Sequence, residues 1–297
     1  MGNICCSSKY ESGALAKNSV QPAKKTESGF TERWGIKEGN YNVKLSNEKN
    51  CSINSATYLC TGDIVLSDNT NYKLKLFNCN FEYISCLDLA EPADCVCASP
   101  TLPLVYATFP DRVRQIHVDG EKLKRSGFIK TPGHCRGICV NKFDGKAISM
   151  SMEDDEGQIN LLTPGGNVQL EISEDEDGEP LFVQPESLVV THDLNVLVAD
   201  MGANAVICVH PEGSVVFTYR GVRCPSSVVC DELNYIYVAG PNNIHQLNPQ
   251  GELVKVFITK AEIGFAPLSL CYNEKKKHLL ATGKGAKVAL FKMTSPD

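Results

Sequence analysis

No apolar run in the sequence approaches the roughly 20 residues that carry a helix across a bilayer. The N-terminus also lacks the apolar stretch of a secretory signal. Paired Cys-x2-Cys motifs are missing, which excludes a RING-type double zinc finger. Coiled-coil heptads do not occur either. Fourteen cysteines are present, yet without an export signal a chain of 297 residues is no small disulfide scaffold. Several of them, Cys60, Cys97, Cys139, Cys208 and Cys230, stand inside strand-like patterns, where a free thiol acts as a small buried hydrophobe. They read as reduced thiols filling a core.

A strand pattern recurs six times: Asp63 to Asp68 (DIVLSD), Leu104 to Phe109 (LVYATF), Ala147 to Met152 (AISMSM), Val196 to Asp200 (VLVAD), Ile236 to Gly240 (IYVAG) and Leu279 to Gly283 (LLATG). The small penultimate residues are Ser67, Thr108, Ser151, Ala199, Ala239 and Thr282, at intervals of 41, 43, 48, 40 and 43 residues. That period is one four-stranded blade of a β-propeller. Each repeat has an alternating strand a (Ser227 to Cys230), the apolar strand b, a strand c (Lys73 to Phe77) and an outer strand d (Val215 to Tyr219), joined by Gly-, Pro- and Asn-rich turns. The fold class is therefore all-β, a six-bladed β-propeller over residues 40–293. The last repeat ends after strand c, so Tyr41 to Leu45 is expected to supply its strand d and close the ring.

Within this frame Gln184 to Leu188, Val196 to Asp200, Asn204 and Val206 to Val209 resemble the NHL repeat, as do Asp68 and Asn71 in the first blade. Phe109, Met152, Gly240 and Gly283 replace the Asp elsewhere. The plan resembles the NHL/TolB-like six-bladed type, and in particular the C-terminal propeller of tripartite-motif (TRIM-NHL) proteins. No Trp-Asp pair ends a strand, as a WD40 repeat would require. With no RING or B-box module upstream, ubiquitin-ligase activity does not follow.

The start, Met1 to Lys9, resembles a dual acylation signal, with myristate on Gly2 and palmitate on Cys5 and Cys6. The consensus wants Ser or Thr where Cys6 stands. One acyl chain binds membranes only marginally, so a second would be needed. Residues 1–33 then read as a disordered, acylated tether on the cytosolic face of a membrane. Residues 1–50 hold eight Lys/Arg against five Asp/Glu, so the tail is basic and the rest of the chain acidic.

Loops b–c and d–a share one face of a propeller. Asp68, Asn71, Asp111, Arg112, Arg136, Asp200, Asn204, Arg223 and Asn242 on that face are the expected protein- or peptide-binding residues, with arginines as anchors. Acids outnumber bases there, which disfavours nucleic acid. Ser173 to Gly178 begins like a calcium loop, but Pro180 and Gln184 break the pattern. Of six histidines, only His134 stands where an axial ligand would lie; no metal site, cofactor or catalytic residue is expected. The sequence thus predicts a monomeric, non-catalytic scaffold. The alternatives are an RNA-binding NHL propeller and a propeller hydrolase or lyase with a metal on its axis.

Overall fold

A computed structural model describes residues 33–131, 133–153, 156–163, 166–175 and 177–294. The proposed acylation sites Gly2, Cys5 and Cys6 lie outside the described residues.

Six four-stranded antiparallel sheets form the blades of a β-propeller. Blade 6 opens with the closing strand β1 (Trp34–Asn42). Blade 1 is β2 (Ile53–Tyr58), β3 (Ile64–Asp68), β4 (Lys73–Phe77) and β5 (Tyr83–Asp88). Blade 2 is β6 (Val96–Ala98), β7 (Leu104–Phe109), β8 (Arg112–Asp119) and β9 (Lys122–Lys130). Blade 3 holds β10 (His134–Val140), β11 (Ala147–Glu153), β12 (Glu156–Leu162) and β13 (Val168–Ile172). Blade 4 holds β14 (Pro185–Val190), β15 (Val196–Asp200), β16 (Ala205–Val209) and β17 (Val215–Tyr219). Blade 5 holds β18 (Ser227–Cys230), β19 (Ile236–Ala239), β20 (Asn243–Leu247) and β21 (Leu253–Thr259), and a short helix α1 (Lys260–Ile263) leads out of it. Blade 6 is completed by β22 (Pro267–Asn273), β23 (His278–Gly283) and β24 (Lys287–Thr294).

The six recurring segments are the second strands β3, β7, β11, β15, β19 and β23. They are mostly apolar, with small buried hydroxyls such as Ser67, Thr108, Ser151 and Thr282, because each is covered on both faces by neighbouring blades. Six hydrophobic clusters result, one at every seam between adjacent blades; Leu66, Phe77, Leu280 and Leu290, for instance, fill the seam of blades 6 and 1. The innermost strands lack a sheet partner toward the axis. Their backbone N–H groups are satisfied by hydroxyls of the preceding blade: Ser55 Oγ accepts from Val96 N (3.1 Å), Ser187 Oγ from Val228 N (3.3 Å) and Ser227 Oγ from Leu270 N (3.0 Å).

Ring closure is by the N-terminal segment, as expected, but the strand lies earlier than Tyr41 to Leu45. β1 pairs along the whole of β24, from Trp34 opposite Thr294 to Asn42 opposite Lys287, with a bulge between Lys37 and Gly39. Beyond Asn42 the chain turns off toward blade 1, where the Val43 carbonyl accepts from Lys75 Nζ (3.3 Å). At the other end Arg33 is buried, its Nε 3.2 Å from Asp231 and its Nη2 2.8 Å from Glu232. No helix among the described residues is long and apolar enough to cross a membrane.

All described cysteines are free. Cys139, Cys208 and Cys230 are buried and Cys97 is half-buried, whereas Cys60 is exposed in the β2–β3 turn rather than packed in a core.

Candidate functional site at the axial mouth

Strand a of four blades starts with the same irregularity. The pairing register jumps between Ile53 and Ser55, Cys135 and Gly137, Pro185 and Ser187, and Pro267 and Ser269. Each jump leaves one extra residue, namely Asn54, Arg136, Glu186 and Leu268. A bulge re-aims the side chain it carries and is common beside active sites. Pro185 and Pro267, lacking an N–H, fit as first residues of such strands. In blades 2 and 5 the equivalent positions are Asp94 and Ser226, whose N–H groups bond Thr108 O (3.1 Å) and Ala239 O (2.9 Å). The six positions surround one mouth of the axis, where a pocket of about 280 Å³ is lined by Asn54, Asp94, Arg136, Glu186, Ser226 and Leu268 together with their neighbours.

Chemistry is concentrated on one side of this ring. His134 Nε2 lies 3.0 Å from Asp94 Oδ2, which leaves Nδ1 of the ring free of that contact. Arg136 Nη1 donates to Glu186 Oε1 at 3.1 Å, and Gln184 Nε2 donates to the same oxygen at 3.2 Å. Burial raises the Glu186 carboxyl above the usual carboxylate range; Arg136 and Gln184 oppose the shift and are outweighed, while Asp94 adds to it. Arg136 Nε is buried without a hydrogen-bond partner. A carboxyl held toward its protonated form and a guanidinium with a spare donor thus share one pocket with Asp94, whose carboxylate orients the His134 imidazole beside it. Perturbed groups in a cleft are what acid–base catalysis requires.

The face residues named from sequence divide into two groups. Arg136 belongs to the axial ring. Asp68 and Asp200 are buried and do not face a partner: Asp200 accepts from Val183, Gln184 and Ala203 N–H, clamping the chain entering blade 4 to the β15–β16 turn. Asp68 does the same with Ser52, Thr70 and Asn71. Asn71 is spent on Asp68 Oδ2 (2.7 Å) and Asn50 O (2.8 Å), and Asn204 Oδ1 on Cys224 N (2.9 Å). Arg112 is held by Asp111 and Glu91. Arg223 and Asn242 are exposed on the rim, apart from the pocket lining. Sequence reasoning singled out Arg136 on the loop face and His134 at an axial position without joining them to Asp94 and Glu186; the signal that links Asp94, Arg136 and Glu186 is the residue at the head of each strand a.

A second set of reactive groups lies off the axis, at the seam of blades 6 and 1. Ligand atoms of Glu48, Cys51 and Asp68 all fall within 4.8 Å of one another, and all three residues are buried. The ammonium of Lys75 stands among them, 2.6 Å from Glu48 Oε2, 2.6 Å from Asp68 Oδ2 and 3.6 Å from Cys51 Sγ.

No protein-family model matches the sequence, and no curated protein sequence does. Among solved structures the chain is similar to a candidate gluconolactonase (TM-score 0.65, 14% identity, covering 86% of this chain and 92% of that one). It is also similar to streptogramin B lyase (TM-score 0.62, 10% identity, 86% and 98% covered) and to a protein of unknown function from Bacteroides caccae (TM-score 0.59, 16% identity, 73% and 81% covered). The expectation of a non-catalytic, protein-binding scaffold is corrected by the buried Glu48–Cys51–Asp68 donor set, in a fold shared with structures named as lactonase candidate and lyase. The NHL and lipoprotein vocabulary drawn from sequence gains no support from these likenesses. At such identities they establish one thing plainly: the chain is a six-bladed β-propeller.

Proposed function

We propose that this propeller is a hydrolase or lyase that cleaves a small polar substrate, of ester or lactone type, by acid–base chemistry at the axial mouth. The observation that carries the reading is the convergence of Asp94, Arg136 and Glu186, from three consecutive blades, on one pocket, with His134 bonded to Asp94 beside it. A pocket of about 280 Å³ is at the small end of ligand sites.

In hydrolysis, His134 Nδ1 takes a proton from water as the water oxygen bonds to the acyl carbon. Asp94, bonded to Nε2, orients the ring and stabilises the imidazolium that forms. Arg136 supplies donors to the oxygen that gains charge. The acyl C–O bond then breaks, and protonated Glu186 gives its proton to the departing alkoxide. In elimination the same base takes a carbon-bound proton and the same acid protonates the leaving group. The names of two similar propellers, a candidate gluconolactonase and a lyase, agree with this reaction class.

The test is turnover of a panel of esters and lactones by wild type, His134→Ala and Glu186→Gln, with product mass read to detect addition of water. Either substitution is expected to lower kcat by about 100-fold or more. Turnover of no panel member, or full activity in both variants, overturns the reading.

A further inference from the structure

The strand heads at the axial mouth carry polar side chains in five blades, Asn54, Asp94, Arg136, Glu186 and Ser226, and an apolar one in the sixth, Leu268. The first strands β2, β6, β10, β14, β18 and β22 neighbour one another in that order and close back on β2. Blade 6 is therefore opposite blade 3, and Leu268 stands across the mouth from Arg136. The register jump between Pro267 and Ser269 takes Leu268 out of the strand's alternation and turns it to the pocket. The residue is half-buried and belongs to none of the six seam clusters. Met201 is the second large apolar side chain of the lining and is also outside every cluster. Its N–H bonds Gln184 O (2.8 Å), which fixes it beside the head of blade 4.

The floor serines are committed to the backbone. Ser55, Ser187 and Ser227 each accept from an N–H of the next blade, and Ser226 Oγ donates to Ala239 O (3.5 Å). A substrate body rich in hydroxyls would find these oxygens engaged, whereas a hydrocarbon body would find Leu268 and Met201. A volume of about 280 Å³ holds roughly nine groups the size of water, enough for an ester or lactone group and a chain of about four to six carbons.

We propose that Leu268 determines the specificity of the axial pocket and, with Met201, selects esters or lactones whose acyl body is a short aliphatic chain. The inference rests on the hydrolytic reading of the same pocket and confines the substrate's polarity to its reacting end. The acyl oxygen faces Arg136, the leaving oxygen faces Glu186, and the chain crosses the axis to Leu268.

The acids that such esters release keep the acyl chain and bind without reacting, so they test the inference apart from turnover. Full-length wild type, Leu268→Asn and Leu268→Met are titrated with acetate, butyrate and hexanoate, and dissociation constants are read by NMR. A methylene moved from water to an apolar contact strengthens binding by up to about fourfold. From acetate to hexanoate wild type is expected to gain about tenfold or more in affinity. Leu268→Met, an apolar side chain of similar volume, should keep that gain. Leu268→Asn should cut it to about threefold or less, with acetate within about twofold of wild type. The same chain-length dependence in wild type and Leu268→Asn, or no measurable binding of hexanoate by wild type, overturns the inference. The expected acid series without turnover of any ester leaves the specificity standing and overturns only the reaction. Turnover of esters with no chain-length dependence in the acids does the reverse.

Discussion

Removing Arg33 should open the ring where it closes. Its side chain is 5% exposed, and its partner Asp231 is completely buried. Burial works against the guanidinium's charge, but Asp231 and Glu232 outweigh it and hold Arg33 firmly protonated. In Arg33→Ala the Asp231 carboxylate loses its counter-charge in a site whose burial already raises its pKa. Breaking a buried pair from one side costs about 3–5 kcal/mol. Asp231 keeps hydrogen bonds from Leu233 N (2.9 Å), Tyr235 N (3.0 Å) and the Tyr237 hydroxyl (3.3 Å), which places the loss near the lower end, about 3 kcal/mol. For a domain of this size that is a fall in Tm of about 6–12 °C. Thermal melting followed by circular dichroism measures it. Asp231→Asn in the same chain removes the stranded charge, so the double variant should melt above Arg33→Ala. A single variant melting within about 2 °C of wild type, or a double variant melting below it, would refute the reasoning.

Relative to wild type, Glu186→Gln should gain stability as pH rises from below the usual carboxylate range through the raised value of the folded state. A carboxyl whose pKa is raised on folding contributes stability below its unfolded pKa and loses it as pH rises through the folded value, whereas the amide has no such loss; urea midpoints across pH report the difference. Gly35→Ala should destabilise by about 1–3 kcal/mol, because its Cβ would sit 2.2 Å from the Phe257 ring, while Gly39→Ala, whose Cβ meets only Tyr41 at 3.4 Å, should cost less; denaturant midpoints of the pair decide it. Among the described cysteines, exposed Cys60 and Cys79 should alkylate in the native state, whereas Cys97 and Cys230, whose thiols burial pushes up to about 12, should react only on unfolding; peptide mapping by mass spectrometry distinguishes the two groups.

The blades were legible because a strand covered on both faces must be apolar, and a 40-odd-residue period of such strands has few other solutions. Residues whose role depends on a distant partner were not. Asp68 and Asp200 carry a repeat signature that marks a backbone clamp, so their prominence in the sequence concerns stability rather than an exposed face. The closing strand was misplaced because Gly35 and Gly39 dilute the alternation in β1, while the alternating Tyr41 to Leu45 stretch leaves β24 after Asn42. Arg33 meets Asp231 across 198 residues, a pairing no local pattern encodes. The axial set was hidden for a further reason. A bulge shifts one residue out of the period, so Arg136 and Glu186 fall between the repeating positions and look like loop residues.

The central claim, acid–base chemistry at the axial mouth, is tested most directly by the pH dependence of kcat/KM on the panel's best substrate. Wild type is expected to give a profile that falls at higher pH as Glu186 loses the proton that burial holds there. In Glu186→Gln the falling limb should vanish and the rate should drop. A falling limb that persists unchanged in Glu186→Gln would contradict the account.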